Sequence, residues 1–355
     1  MGLLKGGFSF ARFHVDGDLP RDFLNSINKQ IKACAYRDQQ KATQEKRMGW
    51  VSLTDVLDAD FKHADYILGD YLIFCLRIDR KLIAPKLLKL KLLEEERRYL
   101  AQSGKERIGK QTAAGIKEKV ELEIMSRQDA VPSFYDVLWS LGKNTVYFSA
   151  LADKVADDFA NLFKNTFALS LKRFSPQDKA TQFKGAFESP DSISLIGREF
   201  LTWLWYKSEE RGGNLAIAGR QEVEIHFLKR IALEAGEGEY AQGVVCSGLH
   251  AKLKEGKEAL RQGKKVKEAG IRLIHDKNEW EFIFKADTFD IQSLKLPITQ
   301  PPENPQDKDG NLLERIYLIE EAVKIIDDLF ETFLQLRPAD KWKEELKKIS
   351  RWLEN

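Results

Sequence analysis

The chain opens on alternation. Phe8 and Phe10 flank Ser9 and precede Ala11, the two-residue period of a strand. Leu19-Pro20 then starts a helix with Phe23, Ile27 and Ile31 on one face. Gln39–Arg47 is polar and reads as a loop. Tyr71–Ile78 is a continuous apolar run, as a buried strand requires, and the Asp79-Arg80-Lys81 turn with Leu82-Ile83 predicts a hairpin. Pro85 introduces a long charged segment, Lys86–Arg127, interrupted at Ser103-Gly104 and Gly109. Its leucines at 87, 88, 90, 92 and 93 predict a helix with a broad apolar face. Ile116, Val120 and Ile124, four apart, predict helix again. Pro132 ends it. Val137–Leu141 and Thr145–Ala150, around Gly142-Lys143-Asn144, predict a hairpin. Ala152–Phe167 follows as a helix faced by Val155, Phe159, Leu162, Phe163 and Phe167, and Leu169–Phe174 as a strand.

Ser175–Ser189 is polar and marks a subdomain boundary. Beyond it, Leu195–Tyr206 predicts an aromatic helix. Leu215–Ala218, Val223–Leu233 and Gly243–Cys246 predict strands. A helix is expected within His250–Lys267. Gly270–His275, a turn at Asp276-Lys277-Asn278, and Trp280–Ala286 give the clearest hairpin, and Phe289–Leu296 a last strand. Pro297–Gly310 holds four prolines and few apolar residues, so it reads as a linker. After it, Leu312, Ile316, Ile319, Val323, Ile326, Phe330 and Phe333 recur at spacings of four and three along one helix. That stripe docks on the body of the protein, or pairs with a second copy or a partner helix. A short helix with Trp342, Leu346, Ile349 and Trp352 closes the chain.

This order of elements is α+β rather than a regular βαβ array. Four regions are expected: an N-terminal α+β region at 1–185, a second with a basic helix and a hairpin at 186–298, a Pro-rich linker at 299–311, and a C-terminal helical extension at 312–355.

Composition narrows the class. Of 355 residues, 43% are hydrophobic, enough for a sizeable core, and 32% are charged, which argues against wholesale disorder. Three cysteines, at 34, 75 and 246, are too few and too far apart for a disulfide scaffold or a zinc ribbon. The N-terminus lacks the apolar stretch of a signal peptide, and no run is long enough to span a membrane. A cytoplasmic protein is expected.

The net charge of +2 hides an uneven distribution. Arg77–Lys119 carries thirteen Lys/Arg against six Asp/Glu, and Lys252–Arg272 carries eight against three. From Glu303 onward thirteen acids face nine bases. Clustered positive charge is the footprint of a polyanion binder, though a charge run also serves as an ordinary solvated face.

Catalytic signatures are missing. The five histidines show no HExxH spacing, and there is no GxSxG, Walker A or GxGxxG. A metal-dependent nuclease needs converging carboxylates, often with a Glu-x-Lys on an adjacent strand. Glu255-Gly256-Lys257 has that spacing but falls in a helical segment, as chance allows in a chain so rich in Glu and Lys. Glu222 and Glu224 share one face of a strand, more in keeping with a solvent-facing edge than a cation site. The Phe200–Tyr206 aromatics read as core rather than a base-stacking platform, because no basic residue interleaves them.

Several strings resemble the bacterial RdgC family of recombination-associated DNA-binding proteins. They are Met48-Gly49-Trp50-Val51, Leu82-Ile83-Ala84-Pro85 before the long Lys/Glu-rich helix, and Gln262-Gly263-Lys264-Lys265-Val266 with Ile271-Arg272-Leu273 and the Trp280–Phe284 strand. The resemblance covers about residues 3–296. The chain departs from the family at Ser247–His250, where no Lys-Gln pair stands, and near Asp129–Pro132, where no aromatic gate residue is evident.

The resemblance implies α+β subdomains and a ring-shaped homodimer around duplex DNA, without strong sequence preference. It further implies restraint of RecA-promoted recombination and a nucleoid-associated location. Family members also carry an exonuclease label. The expected function is therefore non-catalytic, sequence-nonspecific binding of double-stranded DNA, with no cofactor and no metal. The DNA-facing cations are expected to be Lys254, Lys257, Arg261, Lys264, Lys265 and Lys267, and after them Lys86, Lys89, Lys105, Arg107 and Lys110. A metal-dependent exonuclease and a protein-interaction scaffold assembled through the C-terminal helix are the alternatives.

Overall fold

A computed structural model describes residues 2–20, 22–38, 45–62, 66–183, 191–217, 222–235, 243–247, 254–298, 307–337 and 340–354. The strands are β1 (Phe8–Asp16), β2 (Lys46–Val51), β3 (Ile67–Leu68), β4 (Tyr71–Arg80), β5 (Val131–Ser140), β6 (Thr145–Phe148), β7 (Ser170–Arg173), β8 (Asn214–Leu215), β9 (Val223–Glu234), β10 (Gly243–Ser247), β11 (Lys265–His275), β12 (Asn278–Lys285) and β13 (Ile291–Lys295). The helices are α1 (Phe23–Ala33), α2 (Pro85–Ser103), α3 (Lys110–Arg127), α4 (Asp153–Phe167), α5 (Pro176–Thr181), α6 (Asp191–Ser194), α7 (Ile196–Glu209), α8 (Lys254–Arg261), α9 (Lys308–Leu336) and α10 (Asp340–Glu354). The fold is α+β, built on an antiparallel sheet.

One sheet runs through the chain in the order β10-β9-β11-β12-β13-β1-β6-β5-β4-β2. Its joint is β1. Phe8 pairs with Leu294 of β13, while Ala11–His14 pair with β6 and Phe13–Asp16 with β7. The first strand of the sequence thus stitches the N-terminal strands to the last.

Strand periodicity sorts the side chains into two cores. Along β4, Leu72, Phe74, Leu76 and Ile78 enter one core with α1 and α4, and Ile73 and Cys75 enter the other with α7 and α9. In β5, Val137 and Trp139 face the first and Leu138 the second. Burial on both faces explains why β4 reads as an unbroken apolar run.

The stripe of α9 is buried along its whole length. Phe330 packs on Phe200 and Phe289, Trp280 Nε1 donates to the Leu318 carbonyl at 3.0 Å, and Tyr71 Oη donates to Glu320 at 2.8 Å. The helix is occupied by its own chain.

Gly49 lets two segments meet. A Cβ there would lie 2.4 Å from the Tyr36 backbone nitrogen, beside the bridge of Ala35 to Trp50. The Met-Gly-Trp string therefore has a packing reason: only glycine permits this approach.

Some expected boundaries shift. Leu82-Ile83 forms no strand, because β4 runs on to Arg80 and Pro85 then starts α2. Lys46 and Arg47, expected in a loop, open β2. The basic helix is shorter than expected, since Lys265 already begins β11. The boundary near 185, most of the linker at 299–306, the 248–250 departure and Lys252 lie outside the described residues. The last linker positions, from Lys308, are helical, and the side chain of Asp307 caps α9 at Gly310. No helix among the described residues is long and apolar enough to cross a membrane.

Candidate nucleic-acid interface

Two helices leave the sheet as an arm. Pro85 sits in the first turn of α2, where its missing N–H costs nothing. Gly104, at φ +65°, ends α2 with its N–H on the Leu100 carbonyl. Gly109 precedes α3, which returns along α2. The two helices pack on each other, and neither packs extensively on any other described element. At a 1.5 Å rise per residue, the arm is about 28 Å long. No residue of α2 is fully buried, and α3 buries only Val120 and Ile124.

The charges of the arm fall into two kinds. Its middle is laced with ion pairs: Lys91–Glu94, Arg98–Glu95, Lys117–Glu121, and Arg127–Glu123. Lys119 also reaches Glu95 across the helices at 3.9 Å. Lys86, Lys89, Lys105, Arg107 and Lys110 are exposed, and none has a carboxylate partner among the described residues. The first two stand at the root and the other three at the tip. Arg97 is a sixth cation of the same kind, missed in the sequence reading. Helical spacing places it with Lys86 and Lys89 in a sector about 80° wide, which is the signal that finds it. From Pro85 to Arg127 the chain holds eleven Lys/Arg and seven Asp/Glu, a balance of +4.

The other basic segment is arranged differently. Lys254 opens α8. Lys257 Nζ lies 3.0 Å from Glu209 and over the ring of Trp352. Arg261 pairs with Glu258 at 2.8 Å and donates to the Leu353 carbonyl. Lys265 Nζ meets Glu199 at 2.8 Å, and Lys267 Nζ meets Glu234 at 2.7 Å. Glu234 also pairs with Arg198, whose other contact is Asp287. Lys264 alone is half-buried with no carboxylate partner among the described residues. Its neighbour Gly263, at φ +84°, forms the left-handed cap of α8, with the Lys264 N–H on the Ala259 carbonyl. Most charge in this segment is therefore already compensated within the chain.

Helix α10, with four acids and five bases, packs on α7 and α8 beside this segment. Trp352 stacks edge-on against Trp205 and donates to Glu209 at 2.7 Å, so the helix lies across α8. Lys207 ties Glu345 at 2.9 Å.

The candidate carboxylates for metal chemistry do not converge. Glu222 is exposed just before β9, and Glu224 Oε1 lies 2.5 Å from His226 Nε2. Glu255 lies in α8, where Gly256 packs against Trp205. No group of three or more His, Cys, Asp or Glu able to hold a metal ion occurs among the described residues. The aromatic helix α7 is core: Phe200, Trp203, Leu204 and Trp205 are buried.

No family model matches the chain, and no curated protein matches it either.

Proposed function

We propose that this chain binds double-stranded DNA without sequence preference, with the α2–α3 arm as its main contact surface. One observation carries the reading: six exposed arm cations stand without carboxylate partners among the described residues, at the root, along one face and at the tip of a projecting hairpin. Cations that are not already paired give up no ion pair when they meet a phosphate, and each phosphate they neutralise releases counterions. Backbone contacts of this kind position a protein on a duplex without reading its sequence. The paired cations around α8 and β11 form a second rank, with Lys264 the freest.

On the resemblance to the RdgC family, binding takes place in a homodimer at the nucleoid and restrains RecA-promoted recombination. The test is fluorescence anisotropy with two unrelated duplexes over a range of salt. Similar affinities and a steep salt dependence are expected. Failure to bind either duplex at low salt overturns the reading.

A further inference from the structure

A second site lies far from the arm in sequence and does not depend on the DNA reading. Between α7, the turn from α8 into β11, and α10 is a pocket of about 380 Å³. Its walls are apolar: Trp203 from α7, Leu260 from α8, and Trp342, Leu346 and Ile349 from α10. Two indole rings among aliphatic side chains suit a flat apolar body. The volume stands at the small end of ligand pockets, which run from about 300 to 1,000 Å³.

The polar groups of this pocket are unbalanced. Three cations line it, Lys264, Lys265 and Arg337, against one carboxylate, Glu199. Glu199 is saturated: Lys265 holds Oε1 at 2.8 Å, and Arg337 Nε donates to Oε2 at 3.1 Å. Arg337 is fixed from behind by stacking over Trp342, 4.7 Å from the ring centre. Lys264 has no carboxylate partner among the described residues. Trp203 is 2% exposed, and its indole N–H is fully buried with no hydrogen-bond partner among the described residues.

We propose that this pocket binds a small amphipathic carboxylate, an organic acid with a fused-ring or similarly flat body. The body lies against the apolar wall that Leu260, Leu346 and Ile349 share with the two indoles. The acid group answers the excess of positive charge at Lys264. Because α10 forms one wall, a bound acid also pins that helix against α7 and α8.

The test uses the full chain and isothermal titration calorimetry. The probe is 2-naphthoate, with naphthalene-2-methanol as its uncharged counterpart. Naphthoate is expected to bind about tenfold more tightly than the alcohol. Lys264→Gln, at a half-buried rim position, is expected to weaken naphthoate by roughly five- to tenfold and leave the alcohol unchanged. Leu346→Trp, at a position 45% exposed, fills the mouth and is expected to abolish both. Circular dichroism on each variant checks the fold. The proposal is overturned if naphthoate shows no binding at millimolar concentration, if the alcohol binds as tightly, or if neither variant changes naphthoate affinity.

Discussion

Arg12, on the first strand, grips both carboxylate oxygens of Asp327, on the long C-terminal helix, at 2.9 and 2.7 Å. The guanidinium also lies 4.1 Å above the Phe174 ring. Three segments far apart in sequence meet at one buried cation, and α9 is thereby tied to the N-terminal strands as well as to its neighbours in the core.

Deleting residues 298–355 is expected to leave a chain without cooperative unfolding. It would uncover Phe200, Phe289 and Trp280, which α9 covers. Urea titration followed by tryptophan fluorescence checks this. A sharp transition in the truncated chain would show α9 to be an appendage after all. In the full chain, Arg12→Ala is expected to cost about 2 kcal/mol, less than a fully buried pair because Asp327 is one-third exposed.

Lys105→Glu, Arg107→Glu and Lys110→Glu together are expected to lower the salt slope of duplex binding by roughly 2 to 3, one phosphate contact per residue. Stability should stay within about 0.5 kcal/mol of wild type, since these side chains are exposed and have no carboxylate partner among the described residues. Lys265→Gln with Lys267→Gln is expected to do the reverse, lowering stability and moving the slope little. Anisotropy and denaturation on both variants rank the two basic segments. If the second pair moves the slope more, the arm is not the main surface.

Gly49→Ala is expected to destabilise by about 2 kcal/mol, because the new methyl meets the backbone of Tyr36 rather than a side chain that can move. Thermal unfolding reads this directly. A change below about 0.5 kcal/mol would mean that the Tyr36 segment shifts freely.

Glu234 gives a pH signature. The Lys267 hydrogen bond holds its carboxyl below the ordinary value of 4.5, against burial and with help from Arg198. A depressed carboxylate stabilises the fold above its unfolded value, and the gain is lost as pH falls through the folded one. The stability advantage of wild type over Glu234→Gln should therefore be complete at neutral pH and shrink below about pH 4.5. Denaturant midpoints at pH 7 and in steps below pH 5 check it. An advantage that persists at the lowest pH would assign the stabilisation to the shape of the side chain, not its charge.

Local pattern was enough to find the strands β4, β5 and β11, the amphipathic faces of α1 and α4, and the α9 stripe. Each of these follows from periodicity within a few turns of chain. The state of the cations did not follow. Lys265 pairs with Glu199, and Lys257 with Glu209, through tertiary contacts across tens of residues, so a basic run in sequence gave no sign of being compensated. In the arm the reverse holds. Apart from Lys119–Glu95, its pairs are spaced three or four apart on one helix and can be counted from sequence, and Arg97 with the root and tip cations is left over. The pocket beside Trp203 was illegible for the same reason as the pairs: its walls come from α7, α8 and α10.

The place of β1 bears on how the protein comes off the ribosome. Phe8 is made well before its partner Leu294, which emerges almost 290 residues later. At about 5–20 residues per second, that interval lasts on the order of 15–60 seconds. Until then the leading end of β1 stays an open edge with Phe8 and Phe10 uncovered, available to strands of other nascent chains. Crowded polysomes and fast expression should favour aggregates that begin at this edge, and slower synthesis or a chaperone that holds β1 should suppress them.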